Sequence, residues 1–339
     1  MNLKFICTNL SGLGGTETVL IKVLNEFAKQ DNRLELILVD NPQNRDWLGK
    51  IDKRVRVRIV GKSNKKVFAV KNIINTPKDT HIISTSPKMV KLAWMLRKIF
   101  LKKYKIISWI HFSLLKNDMF DPRGTVTLAD GHLAISSVIV NELQELGVDS
   151  HKVKLVFNPI ERQDESFRTQ SNNLLYAGRI MLEGQKNLHE LLDYLADNPD
   201  EKVDFYGAGD EDGFKKYVSQ KNIAHQVAFH GWTSNLWNEI TKRPKALIMT
   251  SKYEGLPMIM LEAISRGIPV ITSRFDGYSD VVKEGINGFS YEPGNIDELA
   301  EKVKLLTEID ENKISESIEE FYPERYYSKL KSAIEELVM

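Results

Sequence analysis

The chain has 339 residues, 42% hydrophobic and 27% charged, the proportions of an ordinary globular protein, which exclude disordered, collagenous and simple coiled-coil architectures. That length is roughly two domains of about 150 residues. The single cysteine, Cys7, has no partner for a disulfide within the chain, so a reducing compartment is expected. No apolar run approaches the roughly 20 residues of a spanning helix, and the opening MNLKFICTNL is interrupted too soon by polar residues for a secretory leader; a cytoplasmic protein is expected. The net charge of +1 hides a division. Residues 1–160 carry 26 Lys and Arg against 14 Asp and Glu, and residues 161–339 carry 21 against 32. The first half is thereby suited to an anionic partner, a membrane surface or a nucleic acid.

Short β-rich runs alternate with amphipathic stretches along the chain, the pattern of parallel α/β layers. In the first half, strands are expected at 3–8, 34–40, 55–60, 81–84, 105–111, 133–136 and 154–157, and helices at 16–29, 88–100 and 137–146. Asn158-Pro159 and a polar stretch over 161–173 read as a linker. The pattern then restarts, with strands at 173–177, 202–206, 227–229, 246–250 and 269–272 and helices at 187–196, 212–220, 258–266, 279–284 and 296–307. The expectation is two doubly wound domains, 1–160 and 161–339, with a cleft between them and ligand sites at the carboxyl ends of their strands. Residues 320–338 read as a last helix that closes the second domain or crosses back to the first.

The first strand runs into Ser11-Gly12-Leu13-Gly14-Gly15-Thr16-Glu17 and a helix, a turn through which backbone approaches a phosphate at a helix N-terminus. A dinucleotide fingerprint fails there because Glu17 occupies the third glycine position; a simple tight turn is the other reading. Gly207-Ala208-Gly209-Asp210 is a second glycine turn, weak alone. Gly178-Arg179 ends the strand at 173–177, with Lys186 seven residues on. A forked and a flexible cation at a strand end suit a diphosphate, or are surface residues. The densest signal is Ser251-Lys252-Tyr253-Glu254-Gly255-Leu256-Pro257-Met258-Ile259-Met260-Leu261-Glu262-Ala263. Glu254 and Glu262 lie about two helical turns apart, on one face. Gly255 allows close approach, Met258 and Ile259 offer N–H groups, and carboxylates suit sugar or ribose hydroxyls. The apolar flanks predict a largely buried Glu262.

This set resembles the retaining glycosyltransferases of family four. The matching pieces run in family order over residues 12–290: Gly14-Gly15-Thr16-Glu17, Ala177-Gly178-Arg179 with Lys186-Asn187-Leu188, Gly207-Ala208-Gly209, His230-Gly231-Trp232, Glu254 and Glu262, Gly267-Ile268-Pro269-Val270, and Asn287-Gly288-Phe289. Within the family, the tract 251–270 and His111-Phe112-Ser113-Leu114 are similar to bacterial lipopolysaccharide 1,6-galactosyltransferases. The resemblance implies an α/β fold of the GT-B type, two Rossmann-like domains facing each other across a cleft. It implies that Arg179 and Lys186 hold a nucleotide diphosphate and stabilise the leaving group, that Glu262 binds ribose, that Glu254 binds the transferred sugar, and that the N–H groups of Gly255, Leu256, Met258 and Ile259 meet the donor. Gly14 and Gly15 would close on the phosphates from the other domain, and His111 would line the acceptor side, although a histidine at a strand end is also a common structural residue.

The implied reaction is hexosyl transfer with retention from a UDP-sugar, UDP-galactose first, then UDP-glucose and UDP-N-acetylglucosamine, to a glycan or lipid-linked glycan acceptor. No metal and no cofactor beyond the nucleotide sugar is expected. Three departures stand out: the seven-residue spacing from Arg179 to Lys186 is longer than the family's commonest, Phe112 replaces a frequent Asp, and Asp280 replaces a frequent Glu. A UDP-sugar epimerase of the same fold, a dinucleotide-dependent oxidoreductase and a non-catalytic pseudo-transferase are the alternatives. Between Thr80 and Asn117 there are eight Lys or Arg and no acid. Residues 88–105 read as a basic amphipathic helix for an anionic membrane surface, or as a core-packed helix with a solvated basic edge; no nucleic-acid module is present.

Overall fold

The computed structural model describes every residue except 9, 11–14, 31, 63, 116–120, 164–166 and 168. The chain divides into two compact units, Met1–Pro159 with Pro323–Met339, and Ile160–Tyr322. Neither contains a helix long and apolar enough to cross a membrane among the described residues.

In the first unit, seven strands form one sheet: β1 (Asn2–Cys7), β2 (Leu34–Leu38), β3 (Arg56–Ile59), β4 (Thr80–Ser84), β5 (Ile106–Ile110), β6 (Gly131–Ala134) and β7 (Val153–Leu155). Their order is β3-β2-β1-β4-β5-β6-β7, every neighbouring pair parallel. The helices α1 (Gly15–Ala28), α2 (Lys65–Ile74), α3 (Pro87–Ile99) and α4 (Ser137–Glu145) make the crossovers. The central strands read as apolar runs because a parallel sheet is covered on both faces; all five residues of β5 are buried.

The helix α2 was not expected. Only Ala69, Asn72 and Ile73 of it are buried, too thin a stripe to register as helical periodicity. A buried lysine on the sheet secures it instead: Lys4 Nζ donates to the Asn72 carbonyl at 2.9 Å and pairs with Glu35 at 3.1 Å, placing a cation at the C-terminal end of α2.

The expected basic helix is α3. Pro87, Val90, Ala93 and Leu96 face the core, Arg97 pairs with Asp130, and Lys88 and Lys91 are exposed. At its end Lys102 N–H bonds the Arg97 carbonyl at 3.0 Å, and Leu101 takes the left-handed conformation, φ 48°, that glycine ordinarily supplies at this position. Met95, Ile99, Phe100 and Leu101 are exposed there, Leu101 at 87%.

The second unit has six parallel strands, β8 (Leu174–Ala177), β9 (Val203–Tyr206), β10 (Val227–Gly231), β11 (Leu247–Met249), β12 (Val270–Ser273) and β13 (Gly288–Tyr291), in the order β10-β9-β8-β11-β12-β13. Its helices are α5 (Leu188–Asp197), α6 (Glu211–Gln220), α7 (Leu236–Glu239), α8 (Met258–Ile264), α9 (Ile296–Leu305) and α10 (Glu311–Ile314). The chain then returns, and α11 (Pro323–Val338) belongs to the first unit, where its Leu337 sits so close to Gly131 that a β-carbon there would collide with it. The helix expected at 279–284 is instead a short 3-10 turn, Tyr278–Asp280. Left-handed Gly277 and Gly285 bracket it, and Val281 and Val282 are buried.

In both sheets the strand order reverses between two central strands, β1 and β4 in the first, β8 and β11 in the second. Such switch points open a crevice at the carboxyl ends of the strands. At the second, the Gly207–Gly209 turn has a specific task. Gly178 N–H bonds the Tyr206 carbonyl and Ile180 N–H the Ala208 carbonyl, both at 3.0 Å, while Asp210 N–H returns to the Ile180 carbonyl at 2.9 Å. A β-carbon on Gly207 would strike the Gly178 carbonyl, and one on Gly209 the Ile180 carbonyl. The glycines thus let the backbone following β9 lie against residues 178–180 and fix the segment that carries Arg179.

Gly207→Ala should destabilise the protein by about 1–3 kcal/mol, the usual cost of overpacking, whereas Gly61→Ala, with open space around it, should be close to neutral; equal midpoints in urea for the two would contradict the close approach. Burial also pushes His132 down to about 4 and His111 to about 3. Folding keeps both neutral, so their contribution is complete above the unfolded value near 6.5 and is lost as pH falls from there toward 4. His132→Gln should reduce the slope of stability against pH in that window by one proton's worth, about 1.4 kcal/mol per pH unit, read from urea unfolding at successive pH values.

Candidate functional site

The carboxyl ends of β8 and β11 carry the residues singled out in the sequence. Beyond β8, Ile180 is fully buried and Arg179, pointing the other way, is exposed. Among the described residues its guanidinium meets no carboxylate; its nearest polar contact is the Met181 sulfur, 3.8 Å from Nη1. The buried Tyr176 hydroxyl donates to the Arg179 carbonyl at 2.7 Å. Burial raises the Tyr176 pKa far above its usual range, with Glu254 acting in the same direction and Arg179 opposing, so this phenol remains a donor and lies in the field of both residues.

The long spacing from Arg179 to Lys186 forms a closed loop. Leu188 N–H bonds the Met181 carbonyl at 3.1 Å and His189 N–H the Leu182 carbonyl at 3.2 Å; Gly184 and Asn187 take positive φ. The far side of the loop is tied to the segment that follows β11, with Lys252 N–H on the Gln185 carbonyl and the Thr250 hydroxyl on the Lys186 carbonyl, both at 2.8 Å. The consequence is a short ion pair. Lys186 Nζ lies 2.5 Å from Glu254 Oε1, and the two side chains are only 16% and 10% exposed. Gln185 Nε2 donates to the other Glu254 oxygen at 3.3 Å and to the Tyr253 carbonyl at 3.0 Å. Gln185 belongs to the site and was not foreseen, since nothing in its sequence context separates it from a surface glutamine.

After Glu254, Gly255 is half-buried, Leu256 and Pro257 are buried, and Met258 and Ile259 in the first turn of α8 are half-buried. The first N–H groups of a helix have no intrahelical acceptor. The helix ends through left-handed Gly267, with Ile268 N–H on the Ala263 carbonyl at 3.0 Å. Glu262 is half-buried, against the expectation of a largely buried carboxylate, because its side chain leaves the apolar face of α8 and meets polar partners. Trp237 Nε1 donates to Glu262 Oε2 at 2.8 Å. The Arg266 guanidinium lies 4.3 Å from the centre of the Trp237 ring and donates to the Glu262 carbonyl at 2.9 Å. The i, i+4 spacing of Glu262 and Arg266 was a usable signal; Trp237 arrives from a different loop and gave none.

In the first unit, His111 follows β5, its ring 4.7 Å from that of Trp109. Its Nε2 is buried and has no hydrogen-bond partner among the described residues. Nearby, Glu142 of α4 accepts from the Ser113 hydroxyl at 2.5 Å and from Leu114 N–H at 2.6 Å, holding the segment after His111. Gly15 opens α1, and Gly14 lies outside the described residues. No group of three or more His, Cys, Asp or Glu among the described residues is arranged to hold a metal ion.

Comparison with known proteins bears on these features. The family model for glycosyl transferases group 1 matches residues 157–321, which contain Arg179, Lys186, Glu254 and Glu262. The lipopolysaccharide 1,6-galactosyltransferases of Escherichia coli K12 and Salmonella typhimurium LT2 are each 30% identical to this chain over 98% of both sequences. The apo form of the lipopolysaccharide outer core galactosyltransferase WaaB superposes with a TM-score of 0.85 at 28% identity, covering 98% of this chain and 99% of that one. The chain belongs to the group 1 family of glycosyl transferases and has their GT-B fold.

Proposed function

We propose that this glycosyltransferase moves a hexose from a UDP-sugar to a glycan acceptor with retention, galactose before glucose, and that the acceptor is a lipid-linked cell-envelope saccharide presented at the inner face of the membrane. The observation that carries the reading is the Lys186–Glu254 pair at the switch point of the second sheet, with Arg179 close by and meeting no carboxylate among the described residues. The names of the two full-length relatives support galactose and lipopolysaccharide.

In this reading Arg179 supplies a planar fork and Lys186 a point charge to the diphosphate. The bond from the anomeric carbon to the β-phosphate oxygen breaks as charge develops on that oxygen, and both cations stabilise it. The acceptor oxygen bonds the anomeric carbon on the same face, and its proton passes to the departing phosphate. No side-chain nucleophile and no metal are required. Glu254 accepts from hydroxyls of the transferred hexose while Lys186 steadies it; Glu262 accepts from the ribose; the N–H groups of Gly255, Leu256, Met258 and Ile259 meet the donor. His111, held neutral by burial, offers the acceptor a hydrogen bond and not a charge.

The exposed end of α3 is the surface we assign to the anionic membrane. Met95, Ile99, Phe100 and Leu101 protrude among Lys91, Lys98, Lys102 and Lys103. Each cation near an anionic surface contributes on the order of 1 kcal/mol, and the apolar side chains add burial in the interface.

Glu254→Ala should lower kcat by about 100-fold or more while UDP affinity stays equal or rises, because Lys186 loses its competitor. Glu262→Ala should weaken UDP by about tenfold, the scale of one hydrogen bond to a charged group. Steady-state rates and calorimetry with UDP check both, and an unchanged kcat in Glu254→Ala would sink its assignment. Consumption of UDP-sugar without acceptor would indicate an epimerase instead. For the membrane surface, Leu101→Gly relieves a left-handed leucine, so it should hold or raise the melting temperature while reducing co-sedimentation with phosphatidylglycerol vesicles. Undiminished vesicle binding would contradict the assignment.

A further inference from the structure

We infer that Trp237 is a positioning residue for the nucleotide, acting through Glu262: its indole N–H holds one carboxylate oxygen so that the other faces the ribose. The inference rests on the assignment of Glu262 to the ribose made above.

Three observations on this chain carry it. First, the bond is directional: Trp237 Nε1 donates to Glu262 Oε2 at 2.8 Å, and indole nitrogen is a donor only, so it fixes one oxygen without competing as an acceptor for a sugar hydroxyl. Second, the indole is itself fixed. The Arg266 guanidinium stacks 4.3 Å from the ring centre and is anchored by bonds to the Glu262 carbonyl at 2.9 Å and to Gln163 Oε1 at 3.1 Å. Third, Trp237 comes from α7, between β10 and β11, and so from an element that the Lys186–Glu254 pair does not use. One donor from a separate stretch of chain thereby holds the carboxylate, and Arg266, braced by Gln163, holds that donor's ring. Burial lowers the Arg266 pKa and Glu262 opposes that shift; the indole lies between the two, donating to the Glu262 side chain and carrying the guanidinium on its face.

A carboxylate held by one donor has a single orientation to offer, and the rotational freedom lost on binding ribose hydroxyls falls accordingly. Trp237→Phe keeps a ring for Arg266 to stack on and removes only the N–H; Trp237→His keeps a ring and restores an N–H. The test is the affinity of UDP against 2′,3′-dideoxy-UDP, which lacks the ribose hydroxyls, by calorimetry on the full chain, with melting temperatures to confirm folding. Wild-type protein should prefer UDP by about tenfold or more. Trp237→Phe should weaken UDP by about 5- to 20-fold, leave dideoxy-UDP within about twofold, and so lose most of that preference, while kcat at saturating donor stays near wild type. Trp237→His should recover part of the preference.

A Trp237→Phe protein that keeps the full preference, or that loses both ligands equally, overturns the inference and leaves Glu262 in place. A wild-type protein that binds both ligands alike overturns the ribose assignment itself, and the inference with it.

Discussion

Lys186 and Glu254 meet at 2.5 Å with little solvent around either, and the arrangement of the second unit's switch point depends on that contact. Withdrawing two charges from water costs several kcal/mol per ion, and the attraction offsets that only when geometry is tight and remaining polar atoms are satisfied. Here the geometry is set from both sides. The closed loop from Met181 to Leu188 presents Lys186 and is stitched to the segment after β11 through Thr250 and Lys252, while Gln185 satisfies the second Glu254 oxygen. Neither residue lies in a helix or strand; each sits in a loop that hydrogen-bonds the other's loop.

The glycines at 207 and 209 extend the same logic. In the sequence they read only as a glycine turn. In the fold they are the places where a β-carbon would strike the backbone after β8, so their effect on any ligand passes through Arg179. A cation that meets no carboxylate among the described residues, near a cation paired with one, gives a polyanion two unequal attachment points. On the proposed reading a diphosphate must compete with Glu254 for Lys186 but has Arg179 to itself, and a hexose hydroxyl arriving at Glu254 eases that competition.

Much of the architecture was legible because parallel sheets covered on both faces write their strands as unbroken apolar runs. Strands such as β1, β5 and β9 were located to within a residue at each end. What escaped had physical reasons. The four-residue β13 begins inside Asn287-Gly288, which reads as a turn, and α2 is held by a buried lysine on a distant strand and not by its own pattern. The residues 279–284 looked helical from composition, yet two left-handed glycines confine them. In the site, Arg179, Lys186 and Glu254 could be nominated from strand ends and spacing. Gln185 and Trp237 could not, since their importance lies in what they touch across loops. The burial expected for Glu262 failed for a related cause: apolar neighbours along α8 said nothing of the indole and guanidinium that meet it from outside.

On the proposed reading Arg179 grips the diphosphate, independent of the rest of the nucleotide. Calorimetric titration of Arg179→Ala with UDP and with uridine, both in EDTA, tests it most directly. UDP affinity should fall by more than tenfold while uridine binds as to the wild-type protein. Equal UDP affinity in the two proteins, or a parallel loss of uridine, would contradict it.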